Sequence, residues 1–424
     1  MKSILKKSML IGLILTGFSF YAQNRNLDNY RQPDKNGINV FESPKDTITT
    51  FNDVKVRIGG ASTIQYQALD NENSGTTGLE LKEIGANFNL ATANLDLDVA
   101  LFDGVRMHLR TFLSSRHHHE PYVKGGYFQI DKLDFISEGF LGEFMKHATI
   151  KIGHMENNYG DAHFRRTDNA QAIYNPFVGN LLMDAFTTEV GAELLYRCDS
   201  GLLAMVGLSN GKLNQSPEKA ANDKTGGATF LAKLGYDKQY NEDFRFRLTG
   251  SIYNTGYLGN ANLYAADRAG SRYYSVMTAA TATSDDFRSG RYNPNFRNSI
   301  TAIMFNPFLK YQGLEFFGTI ENSKGKTAAG ADERTAKQYA GELIYRFGTN
   351  ENLYIGGRYN VVDAEETSAD VKVKRTQLGA GWFMTKNILL KLEYVNQTYD
   401  GYDVGSILND GKFNGFMAEA AISF

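Results

Sequence analysis

Residues 154–186 are the long loop with the densest mixture of charge and aromatic rings: Tyr159, Asp161, His163, Arg165, Arg166, Asp168, Tyr174, Asn175, Phe177, Asn180 and Asp184. Opposed acids and bases held across a narrow water-filled passage set up a transverse field that sorts ions. Folded into a lumen, this segment would form such a constriction from Asp161, His163, Arg165, Arg166 and Asp168. A self-packed outer loop, held by turn chemistry at Asp161, Asp168 and Asn175-Pro176-Phe177, accounts for the same residues equally well.

Other constellations offer less chemistry. His117, His118, His119 and Glu120 could ligate a transition metal, but neighbours on an extended chain point alternately apart. A solvated loop is the better reading, and no metal or cofactor is expected. Gly207-Leu208-Ser209-Asn210-Gly211 matches G-x-S-x-G, the nucleophile elbow, yet a polar stretch follows where a helix should start. It reads as a strand end, and nothing catalytic is expected. Asp70 to Gly75 is similar to the start of a calcium loop, but Leu81 stands where the closing Glu belongs.

Charged residues elsewhere fall in a regular pattern. Arg106, His108, Arg110, Lys151, Arg245, Arg247 and Arg346, with Asp96, Asp98, Glu193, Glu342 and Glu393, sit in segments that alternate apolar and polar residues. In residues 244–252, Phe244, Phe246, Leu248 and Ile252 alternate with Arg245, Arg247, Thr249 and Ser251. Residues 338–347 and 416–424 repeat the pattern, the second with Phe416, Ala418, Ala420, Ile422 and Phe424 on one face. Period 2 is the strand signature, and a strand that is apolar on one face and charged on the other needs water on one side. If the other side is lipid, a cation there costs roughly 2–4 kcal/mol at midplane, so these charges belong in a lumen. Mixed signs argue against a purely basic, phosphate-selective ladder.

The N-terminus explains how such a chain reaches a membrane. Lys2, Lys6 and Lys7 precede an apolar run from Met9 to Phe18 and small Ala22, the layout of a cleavable secretory signal. About ten apolar residues are too few for a membrane-spanning helix, which needs about twenty. Signal 1–22, a polar periplasmic N-terminal extension at 23–53 and a single barrel at 54–424 are the expected units. Among 424 residues, 42 Gly, 24 Tyr, 28 Phe and only seven Pro fit turns and strands. Negative mean hydropathy fits too, because transmembrane strands hide their apolar face by alternation. Cys198, the single cysteine, excludes a disulfide framework, and a net charge of −2 leaves no footprint for nucleic acid.

Connections sort into two kinds. Short ones at 103–104, 199–201, 241–243, 312–313, 348–352 and 385–387 carry Gly, Asn, Asp or Ser; long polar ones alternate with them. That is the asymmetry of outer-membrane barrels, with short periplasmic turns and long extracellular loops. The expected fold is therefore all-β, a transmembrane antiparallel β-barrel of about sixteen strands. Its expected strands include 54–67 and 80–102, the latter changing parity near Ala93, and a last strand at 412–424. Residues 133–146 form a longer inner connection that suits a short amphipathic helix.

The stretch GHMENNYGDAHFRRTDNAQAIYNPFVGNLLMDAF at 153–186, with VRIGGASTIQYQ at 56–67 and the closing FMAEAAISF, resembles porin-like barrels of Bacteroidota, loosely related to the phosphate-selective porin family. The resemblance implies a water-filled barrel passing small hydrophilic or ionic solutes, and a terminal Phe424 read by the barrel-assembly machinery. A plugged barrel serving an outer-membrane assembly or secretion complex, with partners in the envelope, is the alternative. A homo-oligomer is compatible with either.

Overall fold

A computed structural model describes residues 27–46, 51–89, 91–115, 121–168, 170–212, 228–256, 261–265, 272–283 and 286–424. The expected signal and the run His117 to Glu120 lie outside these residues.

The strands are β1 (Lys55–Glu72), β2 (Asn87–Phe88), β3 (Thr92–Phe102), β4 (Val105–Ser114), β5 (Tyr122–Ile130), β6 (Ala148–Glu156), β7 (Thr188–Arg197), β8 (Leu202–Ser209), β9 (Thr229–Gln239), β10 (Phe244–Thr255), β11 (Ser299–Tyr311), β12 (Leu314–Lys326), β13 (Arg334–Phe347), β14 (Leu353–Glu365), β15 (Asp370–Thr385), β16 (Ile388–Asp400) and β17 (Lys412–Ser423). Apart from the two-residue β2, sixteen long antiparallel strands pair with their sequence neighbours. β1 pairs with both β3 and β17, from Ala61 opposite Ser423 to Glu72 opposite Lys412, and the sheet closes on itself. Closure removes the edges that could not be satisfied in hydrocarbon.

The alternation read from the sequence fixes the faces. On β17, Phe416 and Ile422 are exposed while Met417, Glu419, Ala421 and Ser423 are buried inside. On β13, Tyr339, Leu343, Tyr345 and Phe347 point out, and Gln338, Glu342 and Arg346 point in. Phe102, Tyr240, Tyr311, Phe347, Trp382 and Phe424 ring the short-turn end on the outside, an interfacial girdle. Ile320, midway along β12, is half exposed on this outer band. Ile320→Arg should cost roughly 2–4 kcal/mol in a urea titration of the folded barrel in lipid.

Two expectations need correction. The segment 80–102 is not one strand, because β3 begins at Thr92. Between the pairs Thr63–Thr92 and Tyr66–Phe88, β1 advances three residues and its partner four. This extra residue is a bulge-like irregularity, and it produces the parity change noted near Ala93. Upstream, Leu81 instead bridges Ala279, so the first long loop joins the loop before β11.

Residues 27–46 are the second correction. They are irregular, as their lack of period suggests, but they do not extend away from the barrel. Tyr30, Asp34, Phe41, Glu42 and Asp46 are buried. The Lys35 backbone N–H donates to the Lys386 carbonyl in a short turn at 2.8 Å, and the Lys35 ammonium donates to Asn352 at 2.6 Å. This leader closes over the short-turn mouth and reaches into the lumen.

Candidate functional site

Two loops enter from the other end and meet the leader inside. The first, between β6 and β7, contains the charged segment read from the sequence. Its start is fixed by Asp161, which is fully buried. Arg247 of β10 donates to the Asp161 carboxylate through Nε and Nη2 at 2.8 and 2.9 Å, Thr249 donates at 2.7 Å, and Lys233 of β9 donates at 3.0 Å. The same Arg247 donates to Glu42 of the leader at 2.7 and 2.9 Å. One wall arginine thus clamps loop and leader together, and charge-assisted bidentate pairs are the strong kind.

Each remaining constriction candidate is also engaged. Arg165 donates to Glu315 of β12 at 2.6 Å, to Glu342 of β13 at 3.2 Å, and to the side chain of leader Asn39. Arg166 forms a two-bond fork on Asp184 within its own loop, both at 2.8 Å. His163 Nδ1 lies 2.8 Å from Glu156. Asp168 lies 3.6 Å from Arg110 and 3.5 Å from Lys124. Arg165 and Arg166 therefore do not oppose each other's partners across open water; they are neutralised by carboxylates of wall and loop.

Across the barrel, side chains on the inner faces of β13 to β16 hold the loop by its backbone. Lys391 donates to the carbonyls of Ala172, Asn175 and Phe177 at 2.9 to 3.1 Å. Glu393 accepts from the Val178 N–H at 2.8 Å, Asn360 accepts from Leu182 at 2.7 Å, and Gln338 accepts from Met183 at 2.9 Å. Buried backbone without such partners would cost about 1–3 kcal/mol per group. Reading parity alone could have flagged Lys391, Asn360, Gln338, Glu315 and Lys233 as inward-facing, but nothing in it says they meet a loop.

The second loop, before β11, packs beside the first. Tyr264 donates to Glu321 at 2.7 Å and Tyr273 to Glu393 at 2.6 Å. Leu182, Met183, Leu263, Tyr273 and Val276 join wall residues Val362, Val373 and Met417 in an apolar cluster inside the barrel.

What remains beside β3 to β7 is a chamber of about 150 Å³, bounded by leader, first loop and wall. Its lining holds Arg31, Arg57, Arg106, Arg110, Lys124 and Lys151 against Asp96, Asp98, Glu156, Asp168 and Glu193. Arg110 forks onto Asp96 at 2.7 and 2.9 Å. Arg57 and Arg106 share Asp98, and Lys151 sits 3.3 Å from Glu193. Arg31, on the leader, lies 3.6 Å over the Tyr174 ring and donates to the Gly37 carbonyl, and it pairs with no carboxylate among the described residues. Of the other expected lumen charges, Arg245 pairs with Asp237 at 2.7 Å, and Arg346 pairs with Glu315 at 3.2 Å.

Burial raises the Glu42 carboxyl, but Arg247 and Lys233 outweigh it and hold it at about 2. The same two cations hold Asp161 below the usual carboxylate range against its burial. A carboxyl lowered by folding stabilises above its unfolded value, about 4.3 for Glu, and loses that contribution as pH falls. The leader should therefore stay docked at pH 5 and loosen between pH 4 and about 2. A spin label at Ser43→Cys in a Cys198→Ser background should gain mobility over that window, and Glu42→Gln should already be mobile at neutral pH.

No protein-family model matches the chain, and no curated protein does. Solved structures of similar fold include an anion-selective porin from Comamonas acidovorans, at 11% identity and TM-score 0.53, covering 88% of this chain and 100% of that one. The outer-membrane channel DcaP of Acinetobacter baumannii is similar at 11% identity and TM-score 0.52, over 89% and 99%. OprB of Pseudomonas putida is similar at 10% identity and TM-score 0.51, over 88% and 94%. Taken with the closed sixteen-strand sheet, this likeness gives the chain the fold of an outer-membrane β-barrel of the porin type.

Proposed function

We propose that this chain, exported by a signal at 1–22, is a porin-like outer-membrane channel for small hydrophilic or ionic solutes. The chamber between leader and β3–β7 carries this reading. It is a lumenal space beside β3–β7, and its lining is richer in paired charges than in apolar side chains, of which Phe41, Met155 and Phe164 are members. Six permanent cations face five carboxylates, and the surplus is the guanidinium of Arg31, which meets no carboxylate among the described residues. Small anions are thus weakly favoured, through a field of the kind that selects ions in narrow pores.

Planar-bilayer recordings of the refolded protein test this. We expect conductance steps and a reversal potential shifted toward anions, with Arg31→Gln moving it toward the cation side. A protein that inserts but passes no current under any condition overturns the reading. Arg165→Ala with Arg166→Ala should alter conductance by freeing the loop rather than selectivity by removing field charges.

The apolar cluster inside the lumen favours a second reading, because a wide wet pore has no use for it. In that reading the barrel is plugged and serves as a subunit of an envelope complex, and partners recovered from native membranes would identify it. Under both, outer-membrane lipid surrounds the outward band, and the assembly machinery would read Phe424. Its backbone seals the β1–β17 seam, the Phe424 N–H donating to the Gly60 carbonyl at 2.9 Å.

A further inference from the structure

Residues 131–147 join β5 to β6 on the short-turn side, and they do not close over the mouth as the leader does. The ring of Phe144 lies 5.5 Å from that of Tyr196, and the ring of His147 lies 5.5 Å from it as well. Tyr196 belongs to the outer face of β7, since Glu193 and Leu195 of the same strand are buried inside. Ala148, directly opposite Tyr196 in the ladder, is fully covered. The connection is therefore folded against the outside of the wall, at the level of the aromatic girdle.

Five apolar side chains of this connection then face outward: Phe135 is 50% exposed, Ile136 58%, Phe140 40%, Leu141 53% and Phe144 40%. Successive turns satisfy the backbone: Ile136 donates to Leu133, Phe140 to Ser137, and Met145 to Leu141, which forms the short helix Gly142–Met145. Lys146 pairs with Glu143 at 2.5 Å and Lys132 with Asp103 at 2.9 Å, and Asp134 accepts from the Gly139 N–H at 3.0 Å. Asp134 and Glu138 leave residues 133–147 with a net charge of −2 with His147 neutral, which the wet headgroup layer of a zwitterionic leaflet can solvate. Internally satisfied backbone, apolar side chains and an edge continuous with the lipid-facing band are the properties of a segment lying in the plane of a bilayer boundary.

We propose that residues 133–147 are an in-plane lipid anchor, seated at the headgroup–acyl boundary of the phospholipid leaflet on the periplasmic side. The anchor fixes the depth and tilt of the barrel at one point of its circumference, beside the chamber wall of β5 to β7. It rests on the barrel being in a membrane and not on any solute crossing it.

Depth-dependent quenching tests the anchor. In a Trp382→Phe background, Phe140→Trp and, separately, Ile320→Trp are reconstituted at low protein density in phosphatidylcholine vesicles. Their acyl chains carry bromine either near the headgroup or deep. Expected for Phe140→Trp is strong quenching by shallow bromine, weaker quenching by deep bromine, and shielding from aqueous iodide. Ile320→Trp should show the reverse depth order. If Ile320→Trp is quenched and Phe140→Trp is instead open to iodide, the anchor is overturned while the barrel stands. Loss of quenching at both sites overturns the membrane placement itself. Shielding of Phe140→Trp that appears only as protein density rises, without bromine quenching, assigns the patch to a second copy and overturns the lipid assignment.

Discussion

Removal of residues 27–46 is expected to raise single-channel conductance severalfold and to make it steady. The leader forms one side of the chamber, and it is the side not built into the sheet. Its attachments are side-chain bonds and short backbone contacts: Glu42 to Arg247, Asn39 to Glu315 at 2.6 Å, Asn29 to Asp131 at 3.0 Å, and Lys35 to the turn at Lys386. The barrel's hydrogen-bond ladders do not include it, so the truncated protein should retain its strand content by circular dichroism and its closed, heat-resistant migration. Conductance unchanged by the truncation would mean that the two infolded loops alone set the resistance. It would leave the leader with no part in gating.

Arg247→Ala should have the largest effect of any single substitution. The side chain is 1% exposed and holds two carboxylates, Asp161 and Glu42, away from water. Breaking a buried pair by removing one partner costs about 3–5 kcal/mol, because the other charge is left uncompensated. Lys233 stays 3.0 Å from Asp161 and 3.6 Å from Glu42, which places the loss near about 3 kcal/mol, the low end of that range. The loss should appear as local release of leader and loop, read as new cleavage by an added protease within 27–46 and 157–187, before any change in barrel unfolding. Neutralising both orphaned acids, with Asp161→Asn and Glu42→Gln in the Arg247→Ala background, should recover most of it. If the triple variant is as loose as the single one, the bridge itself and not the stranded charge is what holds the plug.

Much of the barrel was legible because a strand in lipid answers to one local rule. Arg245 and Arg247 alternate with Phe246 and Leu248 since each face meets a different solvent, and the same rule placed Glu342, Glu393 and Lys151 inward. Parity reports a face, however, and not what the face meets. Arg165 reads as a field charge from its position in a polar loop. In the fold it bonds Glu315 and Glu342, residues 150 and 177 positions away. No window of sequence contains that pairing.

The leader shows the same limit from the other side. Its lack of period correctly denied it a strand, since no regular face is presented to a sheet. Nothing local said that Asn29, Asn39 and Glu42 had partners waiting at Asp131, Glu315 and Arg247. By itself the sequence determined the sixteen alternating strands, their inner and outer faces and the division into short turns and long loops, because those follow from the pleat and from lipid on one side. Only the tertiary structure decided that the lumen is occupied. Closing the sheet brings distant inner-face charges within hydrogen-bond reach of two loops and the leader, and buried charges once desolvated must find partners.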